Sequence, residues 1–338
     1  MVKRIITLSV AVLVILLVLT SCAVRNADEA NGSPGTVNSG SGASTTDGVG
    51  EAAPFEGFTV EKVLDGHTVN IDKVLSVPIG DGEGKVGGYK NPGYDYCVSN
   101  ISFTKDGGIC VTDTVGKKLE IYSADGNHLE SVPLDPHDDS DRKLYYAQYT
   151  ESGIYAIYDH THLYRFDGKG GVETLDTSGD YYQIDTADDG SVYLYCPGST
   201  FVCAPGGKPE ICQGTVPGVS HKRDKNNVRH ITGVNYYDTD CVLHEFNVEL
   251  DYSALFGYAG LLNGMLVVLD GIPSSDGIEA PINIFTAYTE DGETVFRLSR
   301  TVEENCLVPH RSAFVNDGKL YIIVSNTSEF SVYEISCT

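Results

Sequence analysis

The chain has 338 residues, 41% of them hydrophobic, which is enough for one sizeable core or two modest ones. Its formal net charge of -24 argues against nucleic acid and anionic lipid head groups as partners, because a like-charged surface repels both. Trp is absent while Tyr at 21 and Gly at 37 are plentiful, a composition that favours strands and tight turns over helices.

The first 21 residues have the parts of an export signal. Lys3 and Arg4 give a cationic start, and an apolar run follows from Ile5 to Leu19. The run is shorter than the roughly 20 residues that a membrane span needs, so a signal peptide is favoured over a spanning helix. A signal anchor is the alternative, and it would leave the rest of the chain on the same side of the membrane.

The end of this segment resembles the bacterial lipobox. Its residues are Leu19-Thr20-Ser21-Cys22, a leucine and two small residues before a cysteine. The resemblance implies cleavage between Ser21 and Cys22 and attachment of membrane lipid to Cys22. It therefore predicts a lipid-anchored protein of the cell membrane or outer membrane that faces away from the cytoplasm.

Residues 22–54 are predicted to form a linker. From about Arg25 to Ala53 the chain is Asn, Gly, Ser, Thr and Ala with almost nothing apolar. Such a segment cannot bury enough apolar surface to order itself, so a flexible stalk is expected. The globular domain is predicted over residues 55–338.

That domain is predicted to be all-β, with short strands separated by turns. The unit Ile101–Leu134 places Asp106-Gly107 and Asp125-Gly126 as tight turns between alternating runs. Comparable units are Tyr145–Leu175, Tyr181–Cys212 and Ser312–Ser336. A recurring four-stranded unit is typical of a β-propeller, and six four-stranded blades are predicted, with five or seven left open. Phe58–Pro78 is expected to pair with the last blade and close the ring.

The first of these units resembles a repeat of the NHL-type six-bladed propellers. Their pattern is an Asp-Gly turn, an apolar strand, an aspartate, a basic residue, an apolar-aromatic strand and a second Asp-Gly turn. These places are held by Asp106-Gly107, Ile109–Val111, Asp113, Lys117 or Lys118, Leu119–Tyr122 and Asp125-Gly126. The preceding stretch Gly80–Tyr89 is also similar to uncharacterised propeller lipoproteins of bacteria. The resemblance implies a fold and little chemistry, because propellers host enzymes, binders and scaffolds.

Three polar segments carry residue types that bind ions. The glycine-rich stretch Gly80–Gly88 is followed by no helix pattern and no G-K-[ST], so a plain loop is favoured over a phosphate site. Asp135–Asp141 is dense in oxygen ligands without the spacing of a known calcium loop, so a solvated loop is favoured and calcium is left open. Asp159, His160 and His162 are candidate metal ligands, since two imidazoles two residues apart share one side of an extended segment. No other cofactor is predicted.

Eight cysteines remain when Cys22 is set aside from the nine in the chain. None forms a C-x-x-C pair, so neither a zinc site nor a thioredoxin-like motif is predicted. An exported protein can oxidise its thiols, and the local candidate pairs are Cys196 with Cys203 or Cys203 with Cys212. Most cysteines are expected to be reduced core residues.

Six tyrosines fall at or just before the predicted starts of innermost strands. They are Tyr94, Tyr96, Tyr145, Tyr146, Tyr181 and Tyr182. Innermost strands of propellers start at the face where ligands usually enter, and Tyr suits stacking on sugars or contact with peptides. The alternative is blade packing for at least half of them, because adjacent residues of a strand point to opposite sides.

Together these patterns favour a non-catalytic, membrane-anchored propeller that binds a protein, peptide or glycan through one face. The chain has no G-x-S-x-G elbow and no convincing Ser-His-Asp set. A metal-dependent hydrolase resembling propeller lactonases, with its site in the central tunnel, is the alternative. A structural envelope-assembly factor is a third hypothesis.

Overall fold

The structure is a computed structural model that describes residues 57–91, 94–96, 98–136, 141–177, 179–187, 189–196, 199–212, 218–223, 229–237, 242–251, 255–272, 282–301, 313–326 and 328–338. All of them belong to the unit Ala52–Thr338. The predicted signal peptide, Cys22 and the whole predicted linker therefore lie outside the described residues, as does the centre of the acidic loop at 137–140. Among the described residues no helix is long and apolar enough to cross a membrane.

Every regular element in the described ranges is a β-strand. The strands of the first half are β1 (Phe58–Val63), β2 (Val69–Pro78), β3 (Tyr89–Asn91), β4 (Tyr94–Tyr96), β5 (Val98–Phe103), β6 (Ile109–Asp113), β7 (Lys118–Tyr122), β8 (His128–Pro133), β9 (Leu144–Thr150), β10 (Gly153–Tyr158), β11 (His162–Phe166), β12 (Val172–Asp176), β13 (Gln183–Thr186), β14 (Val192–Cys196), β15 (Ser199–Cys203) and β16 (Glu210–Cys212). Those of the second half are β17 (Gly218–Arg223), β18 (Arg229–Tyr237), β19 (Leu243–Phe246), β20 (Leu250–Asp251), β21 (Leu255–Leu262), β22 (Met265–Ile272), β23 (Ile282–Tyr288), β24 (Thr294–Thr301), β25 (Ala313–Asn316), β26 (Lys319–Ser325) and β27 (Glu329–Cys337).

Most of these strands form sheets with their neighbours in the chain. The orders are β5-β6-β7-β8, β9-β10-β11-β12, β13-β14-β15-β16, β17-β18-β19 with β20 on β18, β21-β22-β23-β24-β1, and β25-β26-β27-β2. Successive small antiparallel sheets of this kind are the construction of a β-propeller. The predicted all-β propeller fold is confirmed.

The prediction of six four-stranded blades is corrected by the sheet orders. Five sheets have four strands, and another has five because β1 is added to β24. In one of the four-stranded sheets β20 pairs with β18 and does not continue from β19. β3 and β4 form a separate two-stranded ribbon. The prediction of four strands in each blade rests on the local spacing of turns, which carries no information on strands that pair with distant parts of the chain.

The core lies between neighbouring sheets. On β10, Ile154, Ala156 and Tyr158 pack toward the β5–β8 sheet. Tyr155 and Ile157 pack toward the β13–β16 sheet. Side chains of a strand alternate between its two sides, so a strand buried on both sides is apolar throughout. Further clusters lie between the sheets of β21–β24 and β25–β27, of β25–β27 and β5–β8, and of β17–β20 and β21–β24.

The ring is closed by strands from the start of the described chain. β2 runs antiparallel to β27 from Val69 opposite Cys337 to Pro78 opposite Glu329. The expected pairing of the segment Phe58–Pro78 with the last sheet is confirmed for β2. β1 instead pairs with β24 in the preceding sheet. Both pairings cover sheet edges that would otherwise be open to another chain.

Two hairpins show why the chain turns where it does. Asn263 and Gly264 connect β21 to β22 with φ values of 50° and 81°. Asp317 and Gly318 connect β25 to β26 with φ values of 46° and 67°. Two successive positive φ values make the two-residue turn that matches strand twist, and Asn-Gly and Asp-Gly adopt it most readily.

An ion pair across the closing strands predicts a pH dependence of stability. Lys73 of β2 pairs with Glu329 of β27, and the Ser331 hydroxyl donates to Glu329 Oε1 at 2.6 Å. Hydrogen bonds from Lys73, and then from Ser331 and Ser76, lower the pKa of Glu329 from 4.5 to about 2. Because the pKa of Glu329 is lower in the folded chain than in the unfolded one, the ionised carboxylate stabilises the fold above pH 4.5. This contribution is lost as the pH falls through about 2. Glu329→Gln should therefore be less stable than wild type at pH 7, and the two should converge near pH 2.

The expected difference is below about 1 kcal/mol, because exposed ion pairs are screened by solvent. The two side chains retain 34% and 35% of their exposure. Urea unfolding at neutral and acidic pH measures the difference. Glu210→Gln, at an exposed position of β16, is the control and should follow wild type at each pH. A constant difference between Glu329→Gln and wild type at all pH values would contradict the assignment.

Candidate functional site

The propeller has two faces, and opposite ends of the strands lie on them. Hydrogen bonds join the first strands of successive sheets, from Asn100 Nδ2 on β5 to the Ala147 carbonyl on β9 at 2.9 Å, and from Gln148 Nε2 to Thr186 Oγ1 on β13 at 2.9 Å. These first strands are therefore the innermost ones. We call the face where β9 and β13 begin the start face, and the face of the hairpins that follow them the turn face.

Three aromatic side chains lie together on the start face. The ring centroids of Tyr145 and His160 are 3.7 Å apart, with the ring planes 38° from parallel. The centroids of His160 and Tyr182 are 5.9 Å apart. Tyr182 is 48% exposed, which makes it one of the most exposed large apolar side chains among the described residues. We refer to Tyr145, His160 and Tyr182 as the aromatic surface.

A left-handed turn places His160 in this surface. Asp159 and His160 have φ values of 50° and 59°, and the Thr161 amide donates to the Tyr158 carbonyl at 3.0 Å. Non-glycine residues seldom adopt this conformation, although Asp and His do so more often than most. The turn is supported by the Lys143 amide, which donates to Asp159 Oδ1 at 3.0 Å. Strained backbone of this kind persists where its surroundings fix it, and it concentrates at functional sites.

The ring of His160 is oriented by the chain that leads into β13. The Tyr181 amide donates to the His160 carbonyl at 2.7 Å, and His160 Nδ1 lies 2.9 Å from the Tyr181 carbonyl. A carbonyl oxygen only accepts, so Nδ1 is the nitrogen that carries the proton. In the neutral ring Nε2 is then a hydrogen-bond acceptor.

The six tyrosines predicted for a ligand-binding face have different surroundings. Tyr145 and Tyr182 belong to the aromatic surface. Tyr181 is 1% exposed and its hydroxyl donates to Asp176 Oδ2 at 2.5 Å; burial and this hydrogen bond raise its pKa. Tyr146 packs against the cluster between the β9–β12 and β13–β16 sheets. Tyr94 and Tyr96 lie on β4, and their side chains are outside the described part of the structure.

The candidate metal ligands Asp159, His160 and His162 do not lie on an extended segment, so the reason for grouping them is corrected. The left-handed turn separates His160 from His162, whose Nδ1 lies 2.8 Å from the Thr161 hydroxyl. The His162 ring is close to parallel with that of Tyr164 on the same side of β11. In the described ranges no three His, Cys, Asp or Glu side chains form a group that could hold a metal ion.

The strand register excludes the two candidate disulfides, so that prediction is wrong. Cys196 lies opposite Ser199, whereas Cys203 lies opposite Val192, four residues farther along the hairpin. That offset is about 13 Å at 3.3 Å per residue, and a disulfide spans at most about 7 Å between Cα atoms. Cys212 lies opposite Thr200, which also leaves it too far from Cys203. Cys110, Cys196, Cys203 and Cys337 are free thiols, and burial raises the pKa of the Cys110 and Cys203 thiols to about 12.

A recess on the turn face has a volume of about 890 Å³. Hairpins and strand ends of four sheets form its wall, among them Phe103, Tyr149, Thr186, Asp189 and Asp317. Its lysines are paired with carboxylates at the rim, Lys319 with Glu334 at 2.8 Å and Lys105 with Glu151 at 3.2 Å. This recess is not predictable from the sequence, because turn residues mark each hairpin without showing which hairpins meet.

A buried ionic cluster explains the glycine-rich loop at 80–88. Lys118 Nζ donates to the carbonyls of Gly82 at 2.7 Å and Lys85 at 2.9 Å, and it pairs with the fully buried carboxylate of Glu120. The Gly87 amide donates to Asp113 Oδ2 at 2.9 Å. Burial raises the pKa of Asp113, opposed by its hydrogen bonds from backbone amides. The loop is therefore folded around a lysine ammonium that belongs to the protein.

The same cluster brings a serine, a histidine and a glutamate together. Ser131 Oγ donates to Glu120 Oε2 at 2.5 Å, and that oxygen lies 2.7 Å from His128 Nε2. The contact from Ser131 Oγ to the histidine, at 3.3 Å, is to the same Nε2 atom. A catalytic triad uses opposite nitrogens of the imidazole for the nucleophile and the carboxylate. This arrangement is therefore a structural network on β7 and β8.

Comparison with known proteins finds distant structural similarity only. No protein-family model matches the chain, and no curated protein matches it. The chain is similar to a solved streptogramin B lyase, with 11% identity over 80% of this chain and 98% of that one and a TM-score of 0.43. It is similar to a DUF4221 family member from Bacteroides vulgatus, with 9% identity over 80% and 98% and a TM-score of 0.47. It is also similar to BamB from Moraxella catarrhalis, with 12% identity over 78% and 97% and a TM-score of 0.36.

Proposed function

We propose that this protein is an extracytoplasmic lipoprotein whose propeller is a binding module for a protein, peptide or glycan. Acylated Cys22 would tether it to the membrane, and residues 22–54 would serve as a stalk. The order of cationic start, apolar run, Leu-Thr-Ser-Cys and polar linker supports the tether. The net charge of -24 disfavours nucleic acid as the partner.

The aromatic surface is the observation on which the binding role rests. Tyr145 is the second residue of the innermost strand β9, His160 lies in a hairpin of the same sheet, and Tyr182 lies in the connection to the next sheet. Two neighbouring sheets therefore hold three adjacent rings on one face, with Tyr145 and His160 half-buried and Tyr182 half exposed. Rings of this kind offer large contact area with little loss of conformational entropy on binding. We propose that the partner contacts this surface.

Site-specific photo-crosslinking in the full-length, membrane-anchored chain tests the binding role. A photoreactive residue at position 182 should yield a discrete adduct in cell envelopes. The matched control is position 129 on β8, where Leu129 is 62% exposed and distant in sequence from the aromatic surface. Indistinguishable adduct patterns from positions 182 and 129 would overturn the proposed binding surface.

The same preparations test the tether. Cys22→Ala removes the thiol that the lipid would occupy, so the variant should lack acylation and keep its signal segment. Labelling with an alkyne fatty acid and the mass of the N-terminal peptide measure both properties. A Cys22→Ala variant that is labelled and cleaved like wild type would show that Cys22 is not the anchor.

A further inference from the structure

Two of the three side chains of the aromatic surface, His160 and Tyr182, offer hydrogen-bond acceptors to a ligand. His160 Nδ1 donates to the Tyr181 carbonyl at 2.9 Å, which leaves Nε2 as an acceptor with no protein partner among the described residues. The Tyr182 hydroxyl donates to Asp180 Oδ2 at 3.1 Å, so its proton is already used. Asp180 is exposed and its carboxylate accepts several hydrogen bonds. A ligand that fits these atoms must bring hydrogen-bond donors.

The charge of the surface restricts the ligand further. Asp159 and Asp180 lie beside the rings, and their carboxylates disfavour phosphates, sulfates and acidic sugars. Each carboxylate is already engaged by the protein, Asp159 by the Lys143 amide and Asp180 by the Tyr182 hydroxyl. Both aspartates are exposed, so an ion pair with a basic side chain would be screened by solvent and would contribute little to binding.

Flat rings beside hydrogen-bond acceptors match one ligand class best. A pyranose has an apolar face of C–H groups that stacks on an aromatic ring, and its hydroxyls donate to acceptors at the ring edge. We infer that the aromatic surface binds a neutral carbohydrate, with a sugar ring on Tyr182 and hydroxyls donated to His160 Nε2 and Asp180. This inference rests on the proposed binding function and names its ligand class.

The absence of Trp from the chain allows a direct test. Tyr182→Trp keeps a flat ring and introduces a single indole, whose emission reports a sugar that stacks on it. The full chain, extracted in a detergent without sugar head groups, is titrated with a panel of neutral tetrasaccharides led by cellotetraose and chitotetraose. A basic decapeptide and an acidic decapeptide are titrated in parallel. We expect a saturable emission change with a neutral saccharide and none with the acidic peptide.

Two variants separate stacking from hydrogen bonding. Loss of the ring in Tyr182→Ala should weaken saccharide binding by roughly tenfold, measured by calorimetry. His160→Asn removes the Nε2 acceptor while Asn tolerates the left-handed backbone, so binding should weaken without a loss of thermal stability. Leu129→Ala is the control and should bind like wild type.

The outcomes distinguish a failure of the carbohydrate inference from a failure of the proposed binding function. Saccharide binding that is lost in Tyr182→Ala supports both the ligand class and the surface. Binding of the basic peptide with no saccharide binding overturns the carbohydrate inference and leaves the binding function standing. Saccharide binding that is unchanged in both variants overturns the assignment to the aromatic surface. No saccharide or peptide binding, together with no specific crosslink from position 182, overturns both.

Discussion

A chain shortened to residues 79–338 should fail to fold, whereas residues 52–338 should unfold in one cooperative transition. The shorter chain lacks β1 and β2 and with them four buried side chains, Phe58, Ile71, Leu75 and Val77. Burial of each contributes roughly 1.5–3 kcal/mol, so their removal costs about 6–12 kcal/mol. That loss is comparable with the whole stability of a typical domain, about 5–15 kcal/mol.

The loss extends beyond these side chains, because β24 and β27 would become open edges. β27 is buried along most of its length, whereas β24 buries Val295, Phe296 and Leu298 among polar side chains. An open strand edge associates with other chains. Circular dichroism, urea unfolding and size-exclusion chromatography of the two chains measure the effect. A peptide of residues 57–78 should partly restore a cooperative transition to the shorter chain by supplying both strands. A shorter chain that unfolds with the same midpoint as residues 52–338 would show that ring closure contributes little.

The features that were predictable from sequence are local ones. Asp106-Gly107 and Asp317-Gly318 lie in turns of the structure because their conformation depends on the residues of the turn itself. The alternating and continuous apolar runs likewise show strands that are buried on one or both sides. Repetition of these units was sufficient to predict the propeller.

Features that depend on contacts between distant parts of the chain could be predicted only in part from the sequence. The pairing of β1 with β24 joins Phe58 to Arg300, and nothing in either segment shows which edge it will cover. The NHL-type pattern left Lys117 and Lys118 as alternatives for its basic position. Lys117 lies in a turn with a φ of 48°, whereas Lys118 starts β7 and holds the loop at 80–88. That choice depends on the fold of a loop some thirty residues earlier in the chain.

The aromatic surface depends both on local sequence features and on contacts between distant segments. Tyrosines at strand starts were visible in the sequence, and opposite orientation of adjacent residues explains why Tyr181 is buried while Tyr182 is exposed. The hairpin Asp159–His162 joins the second and third strands of its sheet, so its position on the face of the tyrosines was predictable. The contact of the His160 ring with Tyr145 depends on a left-handed turn without glycine, which a glycine-based search for turns overlooks. The relative abundance of Asp and His in that conformation is the signal for the turn itself.

Lys118→Met should be among the most destabilising single substitutions in the protein, at about 3–5 kcal/mol. Methionine has a similar shape, so the loss is due to charge and hydrogen bonding. The Glu120 carboxylate, which is fully buried, would lose its ammonium partner, and the carbonyls of Gly82 and Lys85 would lose their donor. Lys105→Met is the matched control, because Lys105 and Glu151 form a pair that is 77% and 70% exposed. It should cost less than about 1 kcal/mol.

A double-mutant cycle decides whether the loss comes from an uncompensated buried charge. In Lys118→Met with Glu120→Gln, the amide that replaces the carboxylate needs no counter-ion, so the double variant should be more stable than Lys118→Met alone. The free energies of unfolding in urea of the four proteins, compared at pH 7, give the coupling between the two positions. Coupling of about 1 kcal/mol or more is expected for groups in direct contact. Additive effects would mean instead that Lys118 acts only through the carbonyls of the loop, and Glu120 would then be stabilised by His128 and Ser131 without the ammonium.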